Sequence, residues 1–249
     1  MKRVPRPVKG RSRRHALSPE LYEEIRRAAT GSGDDRALDA LLLRFHLETA
    51  ARTGGALALR LGDLDPQQCL VLLREKASTQ RWQPVSPRLM RALQAHAHAR
   101  GAREESSRVL RDRDGSPLTK KRYETLWGRI GRQVDSVRTL GVSAHWLRHT
   151  TLTWVERNFG IAVARAFAGH AEPSSNRQGV THVYVKASMG EVATALQALT
   201  WEPHPLALEP LPPAAPAGTH PLHTPGQEPD DPGSGGSGPG PAAGGRRTG

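Results

Sequence analysis

Three residues in the stretch "SAHWLRHTTLTW" (143–154) have types and spacing that suit chemistry: His145, Arg148 and His149. Positions i, i+3 and i+4 of a helix share a face, so these side chains project together while Leu147 turns toward a core. An imidazole exchanges a proton near neutral pH, and a guanidinium offers forked donors to a phosphate or carboxylate. Taken alone, the trio fits two backbone-satisfied histidines and a surface arginine equally well. A zinc reading does not hold. Histidines at i and i+4 can share a metal, but here Trp-Leu-Arg separates them and no glutamate base follows the first. A cation between two ligands of a cationic metal is electrostatically poor.

The elements that must position this trio form one block. "LSPELYEEIRRAA" opens it, with Ser18 as N-cap and Pro19 at the first helical position. A second helix is predicted over 35–51, with Leu38, Leu41, Leu42 and Phe45 apolar. "CLVLLRE" and "RWQPVS" read as two short strands around the turn "KAST". Next come a helix from Pro87 to Ala99, a loop at "RDRDGSPLT" and a helix capped by Thr119. Ser143 caps the helix bearing the trio, which ends near Gly160 before a short helix "IAVARAFA". Ser188 with Glu191 makes a capping box for a last helix. The fold class is mainly α with a small β-hairpin or sheet.

On either side the composition changes. Residues 1–16 hold seven Lys or Arg and no acid, and read as a disordered arm, either solvated or bound to phosphates. Residues 204–249 are rich in Pro and Gly and read as a disordered tail, leaving 17–203 as the globular domain. The chain's 36 Lys and Arg against 24 Asp and Glu give a formal charge of +12, which points to a polyanionic partner, nucleic acid before an anionic membrane. One cysteine, Cys69, excludes an internal disulfide and a cysteine zinc cluster, and reads as a small buried hydrophobe. No stretch reaches membrane-spanning length and no signal peptide opens the chain, so a cytoplasmic setting is the default expectation.

Further residues surround the trio in sequence. "TAARTGGALALRLGDLD" (49–65) lies upstream, then the hairpin "KASTQRWQPVS" (76–86). "AFAGH", ending at His170, and "THVYVKAS", with Tyr184, lie downstream. This ordered set resembles the tyrosine recombinase (phage integrase) family. That family's pattern is an arginine segment leading into Leu-x-x-Leu-Arg-x-x-Asp, a hairpin lysine, His-x-Leu-Arg-His, Leu-Gly-His and a late tyrosine. The resemblance spans about 17–200 and implies an integrase-like catalytic domain. It puts Arg52 and Arg148 at the two catalytic arginines, Lys76 at the lysine, His145 and His170 at the histidines, and Tyr184 at the nucleophile. Arg60, Asp63 and His149 take supporting roles. Read without the resemblance, Arg52 is a helix-end cation and Lys76 a solvated turn residue. Tyr22 and Tyr123 fall on apolar helices and read as packing residues.

The reaction that the resemblance implies is transesterification of duplex DNA. Tyr184 attacks phosphorus and leaves a 3′-phosphotyrosine. His145 accepts the phenolic proton or holds the phosphate, Arg52, Arg148 and His170 grip the non-bridging oxygens, and Lys76 protonates the departing 5′-oxygen. No metal or other cofactor is called for. Assembly as a homotetramer on DNA and a nucleoid-associated location are also implied by the resemblance. Three departures stand out. Gly55 replaces an acid common in the family three residues after the first arginine. "AEPSSNRQGVTHV" makes a long, flexible-looking connection to Tyr184. A sixteen-residue arm stands where the family carries a helical DNA-clamping domain, which implies a separately encoded clamp protein or an integrase remnant that binds DNA without recombining it. An RNA-binding module has only the charge in its favour.

Overall fold

A computed structural model describes residues 16–74, 80–169 and 187–210. The basic arm, the "KAST" turn, the connection to Tyr184 and the tail beyond residue 210 lie outside the described residues, and with them Lys76, His170 and Tyr184.

Eight helices and one small sheet make up the described fold. The helices are α1 (Pro19–Gly31), α2 (Arg36–Thr49), α3 (Thr53–Ala58), α4 (Pro87–Ala99), α5 (Lys120–Gln133), α6 (Asp135–Leu140), α7 (Ala144–Ala168) and α8 (Met189–Thr200). The strands are β1 (Leu64–Asp65), β2 (Leu70–Arg74) and β3 (Gln80–Pro84), antiparallel in that order. The mostly helical class with a small sheet is therefore observed.

Local signals set several ends. Ser18 Oγ accepts from the Leu21 amide, and Ser188 with Glu191 forms the full capping box. Thr119 and Ser143 occupy the N-cap positions of α5 and α7 but make no side-chain capping bond. Gly160 adopts φ +83°, ψ 169°, so α7 is two helical pieces joined at the glycine where the sequence predicts a stop. The second helix ends at Thr49 rather than Ala51, because Ala50 turns into the left-handed conformation at φ 49°. Three short elements, α3, α6 and β1, go beyond those the sequence predicts.

Two apolar clusters hold the body. The larger joins α1, α2, α4 and α5 through fully buried residues such as Ile25, Leu38, Phe45, Leu89 and Ile130. The smaller joins both pieces of α7 to α8 through Val155, Phe167, Val192 and Leu196. Ala50 belongs to the smaller cluster and Ala51 to the larger, so the end of α2 lies on the seam. A buried charge group ties α2 to α5. Asp39 accepts from Arg122 Nη2 at 2.5 Å and from Arg129 Nη2. Burial pushes the Asp39 carboxyl up, while the two guanidinium groups oppose that shift.

Ordered packing continues past the expected boundary at residue 203. His204 is buried, its amide donates to Gln197 Oε1 at 2.9 Å, and its Nε2 lies 3.2 Å from the Cys69 carbonyl. Gln197 Nε2 donates to the Glu209 carbonyl. Residues 204–210 thus belong to the folded body, sealed against α8 and the sheet. Cys69 is buried as expected, and burial raises its thiol pKa.

Candidate active site

The end of α2 is where Arg148 meets the backbone that leads into Arg52. An α-helix leaves its last carbonyls without helical partners, and those at a buried end must find others. Here they find side chains from distant parts of the chain. Thr151 Oγ1 donates to the Leu47 carbonyl at 2.6 Å. Arg81 Nη2 donates to Thr49 O at 3.2 Å, Arg148 Nη1 to Ala50 O, and His46 Nδ1 lies 3.0 Å from Ala51 O. Arg52 comes next. It is the exposed N-cap of α3, and its carbonyl accepts from the Ala56 amide at 3.1 Å.

Arg148 comes to this turn from the first piece of α7 and is only 4% exposed. Its Nη2 donates to the Ala168 carbonyl at 2.8 Å, at the far end of α7. One planar guanidinium thus bridges the turn two residues before Arg52 and the helix end two residues before His170. Two carbonyl bonds fix its plane. His145 and His149 sit on the same helix, partly buried, with ring centroids 4.7 Å apart and planes at 90°. The shared face expected from their spacing is therefore formed.

β3 brings Arg81 to the same place. Strand alternation puts Arg81 and Gln83 on the same face as their cross-strand partners Leu73 and Val71, toward the body, and turns Trp82 outward to 44% exposure. Arg81 Nη1 donates to Gln83 Oε1, and its Cδ fills the space that a Cβ on Gly169 would need. Gly169 has φ +63° and ends α7, so the glycine serves both its own turn and the passage of Arg81. From sequence alone Arg81 is only a basic residue of the hairpin. The strand flanks Arg74 and Gln80 pair across β2 and β3, on either side of the segment that holds Lys76.

Arg60 and Asp63 lie at the turn that follows α3. Asp63 is buried and accepts from the Arg60 amide at 3.0 Å and from the Arg74 guanidinium. It fastens the turn after α3 to β2. Arg108 Nη1 donates to Ala58 O and closes the end of α3.

The other two tyrosines are committed to the core. Tyr22 is buried and its phenol is pushed up to about 12 by burial. Tyr123 is buried, its phenol is also raised, and its hydroxyl lies 2.8 Å from His46 Nε2. Among the described residues no three His, Cys, Asp or Glu side chains gather as a metal site would need. No described helix is long and apolar enough to cross a membrane.

A helical body with a three-stranded antiparallel sheet has the architecture of an integrase-type catalytic domain. Two solved structures share the fold. They are the XerA recombinase (20% identity, TM-score 0.51, covering 69% of this chain and 61% of that one) and a lambda integrase dimer bound to a COC′ core site (17%, 0.50, 70% and 64%). The chain belongs to the phage integrase family, which matches residues 14–188. Tyrosine recombinase XerD of Mycobacterium tuberculosis is 29% identical over 169 residues, 62% of this chain and 53% of the relative. Tyrosine recombinase XerC of Chlamydia caviae is 24% identical over 155 residues, 61% of this chain and 47% of the relative. The chain spans about half the length of these relatives.

Proposed function

We propose that this chain is a site-specific DNA recombinase that cuts and rejoins duplex DNA through a 3′-phosphotyrosine on Tyr184. The observation that carries this reading is the pair of hydrogen bonds that Arg148 donates to Ala50 O and Ala168 O. It brings the backbone just before Arg52 and the end of α7 at Ala168 together at one guanidinium on the helix that carries His145. The burial of Tyr22 and Tyr123 supports the reading from another side, since Tyr184 is the third of three tyrosines.

In this mechanism Tyr184 Oη forms a bond to phosphorus as the bond from phosphorus to the 5′-oxygen breaks. His145 takes the phenolic proton, and Lys76 gives one to the departing 5′-oxygen. Arg52, Arg148 and His170 offset the charge that builds on the non-bridging oxygens. The phosphodiester energy is retained in the tyrosyl ester, so the reverse attack by a 5′-hydroxyl rejoins the strand. Double-stranded DNA is the substrate, and the +12 charge favours it. Another solved neighbour with the same fold is described as a lambda integrase tetramer bound to a Holliday junction (TM-score 0.50), which motivates a homotetramer on paired sites. A DNA-acting enzyme of this kind works in the cytoplasm, at the nucleoid.

The test is a nicked suicide duplex incubated with the protein, with and without a clamp domain supplied separately. A denaturation-resistant adduct that disappears in Tyr184→Phe is expected. An adduct that survives Tyr184→Phe removes Tyr184 as the nucleophile. DNA binding with no adduct under either condition makes the chain an integrase remnant that holds DNA without recombining it.

A further inference from the structure

His46 is a polar residue in the middle of the apolar face of α2, and it is 1% exposed. Burying an imidazole among leucines and Phe45 is costly unless both ring nitrogens are satisfied. Both are. Nδ1 is 3.0 Å from the Ala51 carbonyl and Nε2 is 2.8 Å from the Tyr123 hydroxyl. A carbonyl only accepts, so Nδ1 carries the proton and Nε2 accepts from the phenol. Tyr123 approaches edge-on from α5, with ring centroids 5.4 Å apart. The tautomer is fixed, and its single N–H is aimed at the last carbonyl before Arg52.

The Ala51 carbonyl matters because the next residue is Arg52. Ala50, just before it, is a non-glycine residue in the left-handed region, a conformation that needs support from its surroundings. Arg81 and Arg148 hold the carbonyls of Thr49 and Ala50, and His46 holds the third. Gly55 stands three residues after Arg52, in the first turn of α3, and has no side chain with which to brace that arginine. The backbone that leads into Arg52 is instead fixed from behind, through its own oxygen atoms.

We infer that His46, oriented by Tyr123, is a positioning residue for Arg52: it holds the Ala51 carbonyl and so sets the backbone from which the Arg52 guanidinium reaches the scissile phosphate. The chemical part of this inference rests on the recombinase reading above; the backbone part does not. His46 never touches the substrate. Its effect passes through one peptide unit.

Three variants separate positioning from mere packing. His46→Leu keeps an apolar body and removes the donor. His46→Asn puts an amide N–H close to the place of Nδ1. Tyr123→Phe leaves the imidazole but removes the hydroxyl that orients it. In single-turnover cleavage of the suicide duplex, His46→Leu is expected to lower the rate constant by about 10- to 100-fold, as for a small misplacement of a catalytic group. DNA affinity is expected to stay within about twofold, because the charge of Arg52 is retained. His46→Asn should recover most of the rate, and Tyr123→Phe should fall between. In an Arg52→Ala background, His46→Leu should cost nothing further, since the group it positions is gone. Independent losses that multiply in the double variant overturn the inference, as does an unchanged rate in His46→Leu.

Amide hydrogen exchange tests the backbone part without cleavage. The Ala50, Ala51 and Ala56 amides bond to His46 O, Thr49 Oγ1 and Arg52 O. His46→Leu should speed exchange at these three sites while α5 keeps its protection, and His46→Asn should restore it. Unchanged exchange at all three overturns the inference even where wild type cuts DNA. Failure of wild type to form any adduct, with exchange responding as expected, defeats the recombinase reading and leaves His46 as the holder of this turn.

Discussion

Arg148 closes two helix ends with one side chain, and that dual use gives it a stability effect as well as a chemical one. Removing it strands the Ala50 and Ala168 carbonyls in a buried place, at about 1–3 kcal/mol for each unsatisfied group. A lysine cannot reproduce the fork, so Arg148→Lys should lose stability as well as cleavage rate. Urea denaturation should show a lower midpoint, with the cleavage rate down about 10²–10³-fold by analogy with an oxyanion-hole donor. An Arg148→Lys protein as stable as wild type would mean that the carbonyl bonds contribute nothing. The helical spacing of His145, Arg148 and His149 was legible from three letters of sequence. The carbonyls that Arg148 grips were not, because they lie 98 and 20 residues away and backbone oxygens leave no mark on composition. His46 did leave a mark, as a polar residue interrupting the apolar run "LLLRFHL". A buried imidazole in such a run requires partners, and that requirement was the available signal.

At the scale of the elements, two helices carry histidines that the fold keeps neutral. Burial lowers His46 in α2 and His96 in α4 from the usual value near 6.5 to about 4. His96 Nε2 accepts from the Arg111 amide at 3.2 Å, a bond that protonation would end. The unfolded chain binds protons at these positions below pH 6.5, and the folded chain does so only near 4. Stability is therefore full above about pH 6.5 and is lost as pH falls toward 4, at no more than about 1.4 kcal/mol per pH unit for each histidine. Urea midpoints measured from about pH 7 to 4.5 should fall less steeply for His96→Gln than for wild type. Parallel lines for the two proteins would remove His96 from this account. The long amphipathic helices and the capped ends were readable because periodicity and capping act within a few residues. α3, α6 and β1 were not, since each is six residues or fewer and α3 carries in its first turn a glycine pair that local propensity disfavours. Arg108, Asp63 and the neighbouring strand hold α3 and β1 in place, and these constraints exist only once the fold has formed.

For the whole molecule, charge and closure are the relevant quantities. A chain with a formal charge of +12 should bind duplex DNA with an affinity that falls linearly in log[salt], at about 0.9 per phosphate neutralised. Fluorescence anisotropy at several salt concentrations should show that slope become several units shallower when the seven basic residues of the arm are deleted. An unchanged slope would mean that the arm stays solvated in the complex. Residues 204–210 pack on the body although their segment is Pro-rich, because composition does not by itself mean freedom to move. In the segment, the His204 amide instead donates to Gln197 Oε1, and the Glu209 carbonyl accepts from Gln197 Nε2. The turn at the end of α2 has a last consequence, for how the protein is made. Its three carbonyls are held by groups that reach across 32 residues to Arg81, 98 to Arg148, and, through His46, 77 to Tyr123. A nascent chain that ends before Arg148 lacks one of these anchors, so the turn gains its full support only when α5, α7 and the sheet are all in place. Under the proposed chemistry, the capacity to break DNA appears only once these separate parts of the chain have folded together.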